Sequence, residues 1–342
     1  MDGSILAAQA ANRTWNYGDA VREGFRHLLA EHPEVFAIGQ GLWSPWYVGS
    51  SMTDLDREFG TERIIDTPVS ENACTGAAVG ASLFGYRPIV IHPRMDFMLL
   101  ATDQIVNQAS KWAHMLGGQA SPAVTIRGII NRGGEQGAQH SQALHSWYAH
   151  IPGLRVVMPA TPADARDLLI ASVLCDHPVL YIDNRWLYER EADLPPSRDV
   201  DLTIQGPQIL RTGGDVTLVG SGYATWLCEQ AADTLAGENI QCEVIDLRIL
   251  NPFDGDAVAE SVERTGRLIA VDDGWSTCGL AAEIIASASE RVSPASMKAR
   301  PVRVTLPDAP APTSRVLEDS YYPTTDTVIA AIRDTLGDQQ GR

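Results

Sequence analysis

Short apolar segments alternate with amphipathic helical patterns along most of the 342-residue chain, and this alternation restricts the possible folds more than any other feature. The apolar segments are rich in β-branched residues and lack a polar face, as in RPIVIHP (87–93) and AVTIRGII (123–130). Strands of this kind are buried on both faces, and strands separated by helices usually pair in parallel. The sequence therefore predicts an α/β fold with a parallel sheet covered by helices on both faces.

The alternation is interrupted once, which divides the chain into two parts. Between Leu187 and Pro207 the chain is charged, contains prolines and has no clear period, as expected of an interdomain connection with a short edge strand. We therefore predict a first domain at 15–190, a linker at 191–207 and a second, smaller α/β domain at 208–338. Strands are predicted at 35–39, 63–67, 87–93, 123–130, 155–159, 178–183, 216–220, 242–248, 267–273 and 302–307, and helices at 19–31, 71–84, 103–116, 141–150, 162–174, 225–237, 254–264, 279–291 and 324–336.

Composition excludes several classes of partner. A formal net charge of −17 argues against nucleic acid or an anionic membrane as the main partner. No apolar run reaches the roughly 18 residues that span a bilayer, and the N-terminal MDGSILAAQAANRTW lacks the features of a signal peptide. The five cysteines form no Cys-x-x-Cys pair, so we expect reduced thiols and no zinc site. These features favour a cytoplasmic protein.

One motif suggests a dinucleotide site. Gly220 and Gly222 follow a predicted strand and precede a helix, and Asp246 ends the next strand, where a dinucleotide-binding unit places its ribose-binding acid. However, Thr225 stands at the position of the third glycine. A structural turn between strand and helix is the favoured explanation of the two glycines, so a nicotinamide dehydrogenase is retained only as an alternative.

The least ordinary sequence lies in the first half of the chain. IIDTPVSENACTGAAVGASLFG (64–85) leaves a strand, turns at Thr67-Pro68 and enters a helix, with Ser70 as a plausible N-cap and Glu71 in the first turn. On spacing alone, Glu71 is an acid that complements the positive end of the helix. Three further segments follow: MDFMLLATDQIVNQASKWAHMLGGQ (95–119), the polar, glycine-rich GGEQGAQHSQALHSW (133–147), which contains His140, and HIPGLRVVMPATPADARDLLIASV (150–173).

Together these segments resemble the beta subunit of the thiamine-diphosphate-dependent decarboxylating component of 2-oxoacid dehydrogenase complexes, the group that includes the pyruvate, branched-chain and acetoin enzymes. The second domain is similar as well, through VIDLRILNPFD (244–254), LIAVDDGW (268–275) and VLEDSYYPTTDTVIAAI (316–332). The resemblance extends from about Trp15 to Leu336. It implies a pyrimidine-binding domain followed by a transketolase C-terminal-like domain, in which the glycine turn at 220–222 binds no dinucleotide.

The resemblance also implies roles for individual residues around the cofactor. Glu71 corresponds to the carboxylate that binds the 1′ nitrogen of the aminopyrimidine ring and activates thiamine diphosphate. Phe97 corresponds to the aromatic residue that packs on that ring. Thr67 and Val69 flank the same turn and are expected to line the cofactor.

His140 corresponds to the active-site histidine of the family, which assists transfer of the acyl group to a lipoyl acceptor or binds the substrate. Imidazole suits proton transfer near neutral pH. Gln139 and Gln142 are expected to orient His140 or to bind substrate. We interpret His114, His145 and His150 as structural or interfacial.

An element that the family's chemistry needs is missing from this sequence. Thiamine diphosphate and Mg²⁺ are held through a Gly-Asp-Gly segment with later asparagines, and the Gly-Asp pairs at 18–19, 214–215 and 255–256 are each followed by alanine or valine. The resemblance therefore implies an alpha partner that carries the diphosphate and Mg²⁺ site, most simply in an α₂β₂ tetramer, and a lipoyl acyltransferase as a further partner. We expect no metal ligands in this chain.

Departures from the family pattern lie close to these motifs. Gln40 replaces an acidic residue after the first strand, followed by Trp43 and Trp46, and His92 and Arg94 are unusual in IHPRMDF. Two alternatives therefore stay open. One is a split-transketolase or acyloin-type enzyme that transfers a two-carbon or acyl unit to a carbonyl acceptor without lipoyl. The other is a non-catalytic subunit that stabilises its partner.

Overall fold

The computed structural model describes residues 14–198 and 200–337. The N-terminal segment considered above up to residue 13, Asp199 in the predicted linker and Asp338 at the end of the predicted second domain lie outside the described residues. Contacts within the chain divide it into two compact units. The first unit contains the described residues up to Ile130 and those of 151–205, whereas the second contains 131–150 and the described residues from Gly206 onward.

The first unit is an α/β structure in which six described strands run parallel in the order β6-β7-β5-β4-β2-β3. The two short strands β1 and β8 pair antiparallel with each other. The strands are β1 Thr14–Asn16, β2 Val35–Gly39, β3 Ile64–Asp66, β4 Arg87–His92, β5 Thr125–Ile130, β6 Arg155–Val157, β7 Val179–Asn184 and β8 Glu191–Asp193. The α-helices are α1 Tyr17–Glu31, α2 Leu55–Phe59, α3 Glu71–Ser82, α4 Trp112–Met115, α5 His145–Ala149 (in the second unit) and α6 Pro162–Leu174.

Local sequence explains where the two long helices of this unit begin and how they pack. The Asn16 side chain accepts a hydrogen bond from the backbone of Asp19 at 2.7 Å, which caps α1. Thr161 caps α6 in the same way, and Pro162 occupies the first turn, where no backbone donor is needed. The two helices pack against each other. A Cβ atom at Gly24 would lie 3.3 Å from the Arg166 carbonyl oxygen, so glycine permits their close approach.

The second unit is a mixed α/β structure with strand order β14-β13-β10-β11-β9, in which β9 is antiparallel to β11 and the other pairs are parallel. Its core is aliphatic and is formed by β10, β11, β13 and the helices α7 and α11. The elements of this unit beyond residue 205 are β9 Gln208–Arg211, β10 Val216–Gly220, α7 Tyr223–Ala236, β11 Cys242–Asp246, β12 Ile249–Asn251, α8 Asp256–Thr265, β13 Leu268–Trp275, α9 Leu280–Arg291, β14 Val302–Leu306, α10 Arg315–Tyr321 and α11 Thr325–Gly337.

The predicted fold class is confirmed, and two predicted helices are wrong in detail. The helix expected at 141–150 covers only His145–Ala149. The helix expected at 103–116 is divided into a π-helical segment, Gln104–Ala109, and the short α4. At the break the Ser110 hydroxyl donates to the Val106 carbonyl at 2.7 Å, a contact that bends helices. The edge strand expected in the connection is β8, which pairs with β1 rather than with the large sheet. Over 14–198 and 200–337, the structure contains no helix that is both long and apolar enough to cross a membrane.

Candidate active site

A cleft in the first unit lies where β2, β3 and β4 end and the following loops begin. Ligands of open parallel sheets bind at this edge, outside the carboxyl ends of the strands. The cleft has about 300 Å³ of empty space, part of it open to solvent. The cleft is lined by Gly39, Gln40, Thr67, Pro68, Ser70, Glu71, Cys74, Val90, Ile91, His92, Pro93, Arg94 and Phe97.

Glu71 is placed in this cleft by the turn that precedes α3. The backbone of Thr67 donates to the Gly39 carbonyl at 2.9 Å, which joins the turn to the end of β2. Helix α3 then starts at Glu71, and Ser70 occupies the N-cap position without a side-chain capping bond. The Glu71 side chain is buried, with 9% of the residue exposed, and makes no hydrogen bond or ion pair with any residue that the structure describes. Its carboxylate oxygens are not sealed from solvent, so a ligand in the cleft that supplies an N–H donor can reach them.

Two of the other three residues predicted to contact a cofactor also line the cleft. Thr67 lies beside Glu71, and its hydroxyl accepts a hydrogen bond from the Cys74 thiol at 3.3 Å. Phe97 is half-buried at the other wall. Val69 is 75% exposed and does not line the cleft. The sequence analysis did not single out Cys74, although its position three residues after Glu71 on a helix is a signal that it shares the same face.

His92 forms part of the cleft wall and is neutral in the folded chain. Its ring Nε2 lies 3.3 Å from the Thr75 hydroxyl, on the helix face that also carries Glu71. Burial lowers the pKa of His92 from 6.5 to about 4, because a charged imidazole would lose its hydration there. His92 therefore contributes a neutral wall next to the Glu71 carboxylate near pH 7.

We expect His92 to make the chain less stable in mild acid. Its folded-state pKa is lower than its ordinary value, so the unfolded chain takes up the proton first. The stabilisation is complete above pH 6.5 and is lost as the pH falls toward 4. Between pH 6.5 and 5 the loss is on the order of 2 kcal/mol. Urea unfolding of His92→Asn at both pH values should show a correspondingly smaller difference, with the exposed His114→Asn as control. Equal pH dependence in both variants would contradict the assignment.

A tyrosine connects two of the residues that depart from the family pattern. Gln40 donates to the Tyr47 hydroxyl at 3.3 Å, and the Arg94 guanidinium lies 5.9 Å from the centre of the Tyr47 ring. Arg185 holds the same segment by donating to the carbonyls of Tyr47 and Trp46. The added tryptophan segment is therefore fixed to the wall of the cleft.

The residues predicted to take part in acyl transfer lie in the second unit. We call residues 131–144, between β5 and α5, the His140 loop. Within it Gln139 is exposed, whereas His140 and Gln142 are half-buried. The backbone of His140 donates to the Gly137 carbonyl at 3.4 Å, which closes a turn just before the histidine.

Both ends of the His140 loop make buried ion pairs that the sequence analysis missed. Arg132 pairs with Asp273, and His145 donates from Nε2 to Asp272 at 2.8 Å. All four side chains are about 1% exposed. A signal was present in LIAVDDGW, because two adjacent acids at the end of an apolar strand need cations when they are buried. Arg132 is thus part of the interior.

The glycine turn of the second unit is structural. A Cβ atom at Gly220 would lie 2.7 Å from the Thr225 backbone nitrogen, so the strand-to-helix turn leaves no room for a side chain. Asp246 is fully buried and accepts a hydrogen bond from the Thr225 hydroxyl at 3.0 Å. Its carboxylate is therefore not presented to a ribose. Within the described ranges, no group of three or more His, Cys, Asp or Glu side chains is placed to hold a metal ion.

Comparisons with known proteins agree with this architecture. The pyrimidine-binding domain family of transketolase matches residues 13–190, and the transketolase C-terminal domain family matches residues 207–328. The chain is 42% identical to the beta subunit of acetoin:2,6-dichlorophenolindophenol oxidoreductase of Cupriavidus necator, over 93% of this chain and 96% of that one. It is 36% identical to the mitochondrial pyruvate dehydrogenase E1 component subunit beta of Bos taurus, over 93% and 89%.

A solved structure described as a split-gene transketolase, an inactive beta4 tetramer, superposes with a TM-score of 0.73 at 22% identity, covering 94% of this chain and 98% of that one. At that identity the superposition shows a shared fold. The identities above 30% over nearly the whole chain show more than the fold. The chain therefore belongs to the family of E1 beta subunits of 2-oxoacid dehydrogenase complexes, built from a transketolase pyrimidine-binding domain and a transketolase C-terminal domain.

Proposed function

We propose that the chain is the beta subunit of a heteromeric, thiamine-diphosphate-dependent 2-oxoacid dehydrogenase and that Glu71 activates the cofactor. One observation carries this proposal: the Glu71 carboxylate, which has no donor among the described residues, lies in a cleft that also contains an aromatic ring, Phe97. A protonated ring nitrogen is the kind of donor that such a carboxylate needs. An aminopyrimidine supplies that nitrogen together with an aromatic face.

The residues of the cleft fit one end of thiamine diphosphate. Glu71 would bind the 1′ ring nitrogen, Phe97 would pack against the ring, and Thr67 would border it. Val69, exposed beside the turn, would contact the cofactor from the open side. The wall formed by neutral His92 adds no competing charge beside Glu71.

The bound cofactor supplies a carbon nucleophile that adds to the carbonyl carbon of the 2-oxoacid. The contribution of Glu71 is to hold a proton at the 1′ nitrogen and thereby favour the imino form of the 4′ amino group. Its place at the first residue of α3, directly after the Thr67-Pro68 turn, sets the point at which the side chain leaves the backbone.

His140 is proposed to assist transfer of the acyl group to a lipoyl acceptor by donating a proton near the reacting carbon. Its half-buried ring keeps one side accessible, as an acid that meets a substrate requires. Gln139 and Gln142, on either side, are proposed to bind the substrate or to orient the imidazole. The glycines of the loop, at φ values of 70°, 67° and 71° for Gly133, Gly134 and Gly137, give the backbone a shape that other residues rarely adopt.

The diphosphate and Mg²⁺ are proposed to be held by an alpha subunit, in an α₂β₂ assembly that delivers acyl groups to a lipoyl acyltransferase. Two facts support this division of labour. The sequence contains no Gly-Asp-Gly segment, and the relatives above are themselves named as beta subunits.

The test is an assay of the chain assembled with the alpha subunit. We expect reduction of 2,6-dichlorophenolindophenol that depends on a 2-oxoacid and on thiamine diphosphate, and acyl transfer to a lipoyl domain in place of the dye. Acetoin is included as a donor because of the 42% identity to an acetoin enzyme subunit. Formation of a carboligation product from an aldehyde or sugar, without transfer to lipoyl, would instead support the split-transketolase or acyloin-type alternative.

A further inference from the structure

We propose that Asp272 and Asp273 are positioning residues that hold the two ends of the His140 loop on one strand and so fix the orientation of His140. The proposal rests on the acyl-transfer role proposed for His140. Arg132 and His145 lie at opposite ends of the loop, yet their partners are consecutive residues of β13. Consecutive Cα atoms are about 3.8 Å apart. The 14-residue loop is therefore closed at its base, as in compact loops whose ends meet.

The first end is held by the Arg132 guanidinium. Arg132 pairs with Asp273, and both side chains are 1% exposed. The guanidinium also lies 4.4 Å from the centre of the Tyr322 ring and 5.4 Å from that of Tyr223. Two aromatic faces and a carboxylate surround this cation, so the start of the loop is held by other residues of the second unit.

The second end is held by His145, the first residue of α5. Asp272 Oδ1 accepts a hydrogen bond from the His145 ring at 2.8 Å. The Asp272 carboxylate also accepts hydrogen bonds from the backbone N–H groups of Gly274 and Ala281, at 2.8 and 3.0 Å. Burial alone would lower the pKa of His145, but the attraction of Asp272 outweighs it and raises that pKa. Burial likewise works against ionised Asp272, whereas the charge of His145 and the two N–H donors lower its pKa overall. The hydrogen bonds to Asp272 thus hold His145 against the strand.

Contacts inside the loop reinforce the closed base. The backbone of Glu135 donates to Glu318 of α10 at 3.0 Å. A Cβ atom at Gly137 would lie 2.7 Å from the Thr313 hydroxyl, so the backbone there runs directly against the segment before α10. Glu135 itself has a φ of 60°, which a free loop would seldom maintain. His140 therefore lies in a stretch held at its base and against α10.

The consequence for catalysis concerns orientation. If the loop were held only by its covalent ends, the His140 imidazole would sample many conformations. Misplacement of a reacting group by 1 Å can lower a rate about 100-fold. The four ionic groups at the base of the loop, Arg132, Asp273, His145 and Asp272, do not touch the substrate in this proposal. They act through the backbone that carries His140.

The test compares Asp273→Asn and His145→Gln with a matched control, Glu243→Gln, in the full chain assembled with its alpha subunit. Glu243 is also a buried carboxylate of the second unit, and it pairs with Arg264 at the opposite end of β11 from the turn into β12. Hydrogen exchange of residues 131–144 should become about 10-fold faster in the two loop variants and should not change in the control. Wild-type exchange of the loop in both loop variants would overturn the proposal.

Kinetics separate positioning from a general loss of structure. We expect kcat for acyl transfer to fall about 10- to 100-fold in Asp273→Asn, while KM for the 2-oxoacid and the affinity for thiamine diphosphate stay near wild type. Removing both charges in Arg132→Met/Asp273→Leu should recover thermal stability but not kcat. Recovery of kcat together with stability would overturn the positioning role. If Asp273→Asn does not fold, the milder His145→Gln answers the same question.

A separate variant keeps this inference distinguishable from the function it rests on. His140→Asn leaves the ion pairs at the base of the loop untouched. Suppose that the loop variants exchange faster but His140→Asn retains full acyl transfer. The role proposed for His140 is then wrong, and the orientation of its side chain does not affect catalysis. If His140→Asn is inactive and the loop variants keep both slow exchange and full kcat, the proposed function stands and the positioning inference fails.

Discussion

Replacing Glu71 with glutamine should lower 2-oxoacid-dependent turnover of the assembled enzyme at least about 100-fold, the range in which acid–base groups usually contribute. Glutamine is the same size as glutamate and keeps one carbonyl oxygen, so the fold of the cleft should survive. What it loses is the negative charge that stabilises a proton on the 1′ ring nitrogen. The carboxylate has no partner among the described residues, so no other side chain there compensates for the change.

Three measurements make this expectation decisive. Turnover is followed by dye reduction, cofactor affinity by calorimetry, and folding by the thermal midpoint. Loss of a first-turn acid should cost only about 0.3–1 kcal/mol of stability. Glu23→Gln, in the same unit but in a weak surface pair 3.8 Å from Arg26, is the control. Full activity of Glu71→Gln would refute the proposed role and would favour the alternative of a non-catalytic stabilising subunit.

The largest effect on stability is expected at the Arg127–Asp183 pair in the first unit. Both side chains are fully buried, and the Arg127 Nη2 atom donates to Asp183 at 2.6 Å, Tyr188 at 2.7 Å and Ser51 at 2.9 Å. Asp183→Asn would leave the guanidinium charge in the interior without a counter-ion. We expect a loss of about 3–5 kcal/mol in the free energy of unfolding, measured by urea titration.

The comparison pair for this prediction lies on the surface of the same unit. Arg26 and Glu58 are 2.8 Å apart, but their side chains are 47% and 41% exposed. Glu58→Gln should therefore cost at most about 1 kcal/mol. The double variant Arg127→Leu/Asp183→Asn, which removes both charges, should recover part of the stability lost in Asp183→Asn. Equal effects of Asp183→Asn and Glu58→Gln would show that burial does not set the strength of these pairs.

Local patterns in the sequence were sufficient for most of the fold. VFAIG (35–39), VTLVG (216–220) and the helix at 162–174 have the predicted bounds, because each is a continuous apolar or amphipathic run between clear turn signals. The prediction at 103–116 was wrong at Ser110, where the side-chain hydroxyl donates a hydrogen bond to the Val106 carbonyl of the same helix. This contact depends on how the chain packs nearby. The short strand β1 was also missed, since its partner β8 is far away in the sequence.

The candidate site was predictable only as far as its motifs are contiguous. Thr67, Glu71 and Phe97 come from motifs that the resemblance to the family singled out, and they line one cleft. Val69 belongs to the same motif and lies only two residues after Thr67 along the turn. Its side chain is nevertheless directed to solvent. Arg132 and Asp273 are 141 residues apart, and His145 and Asp272 are 127 apart. No local period relates such residues, so only the folded chain reveals them.

The assignment of residues 131–150 to the second unit has a consequence for how the protein is made. A ribosome releases the His140 loop more than 120 residues before the aspartates that anchor it, so the loop stays without these partners until β13 has been synthesised. The same separation matters if the gene is divided after residue 190, between the segments that match the two domain families. The first product would then contain His140 but none of the acids that hold its loop. Such a product would depend on its other half arriving in trans.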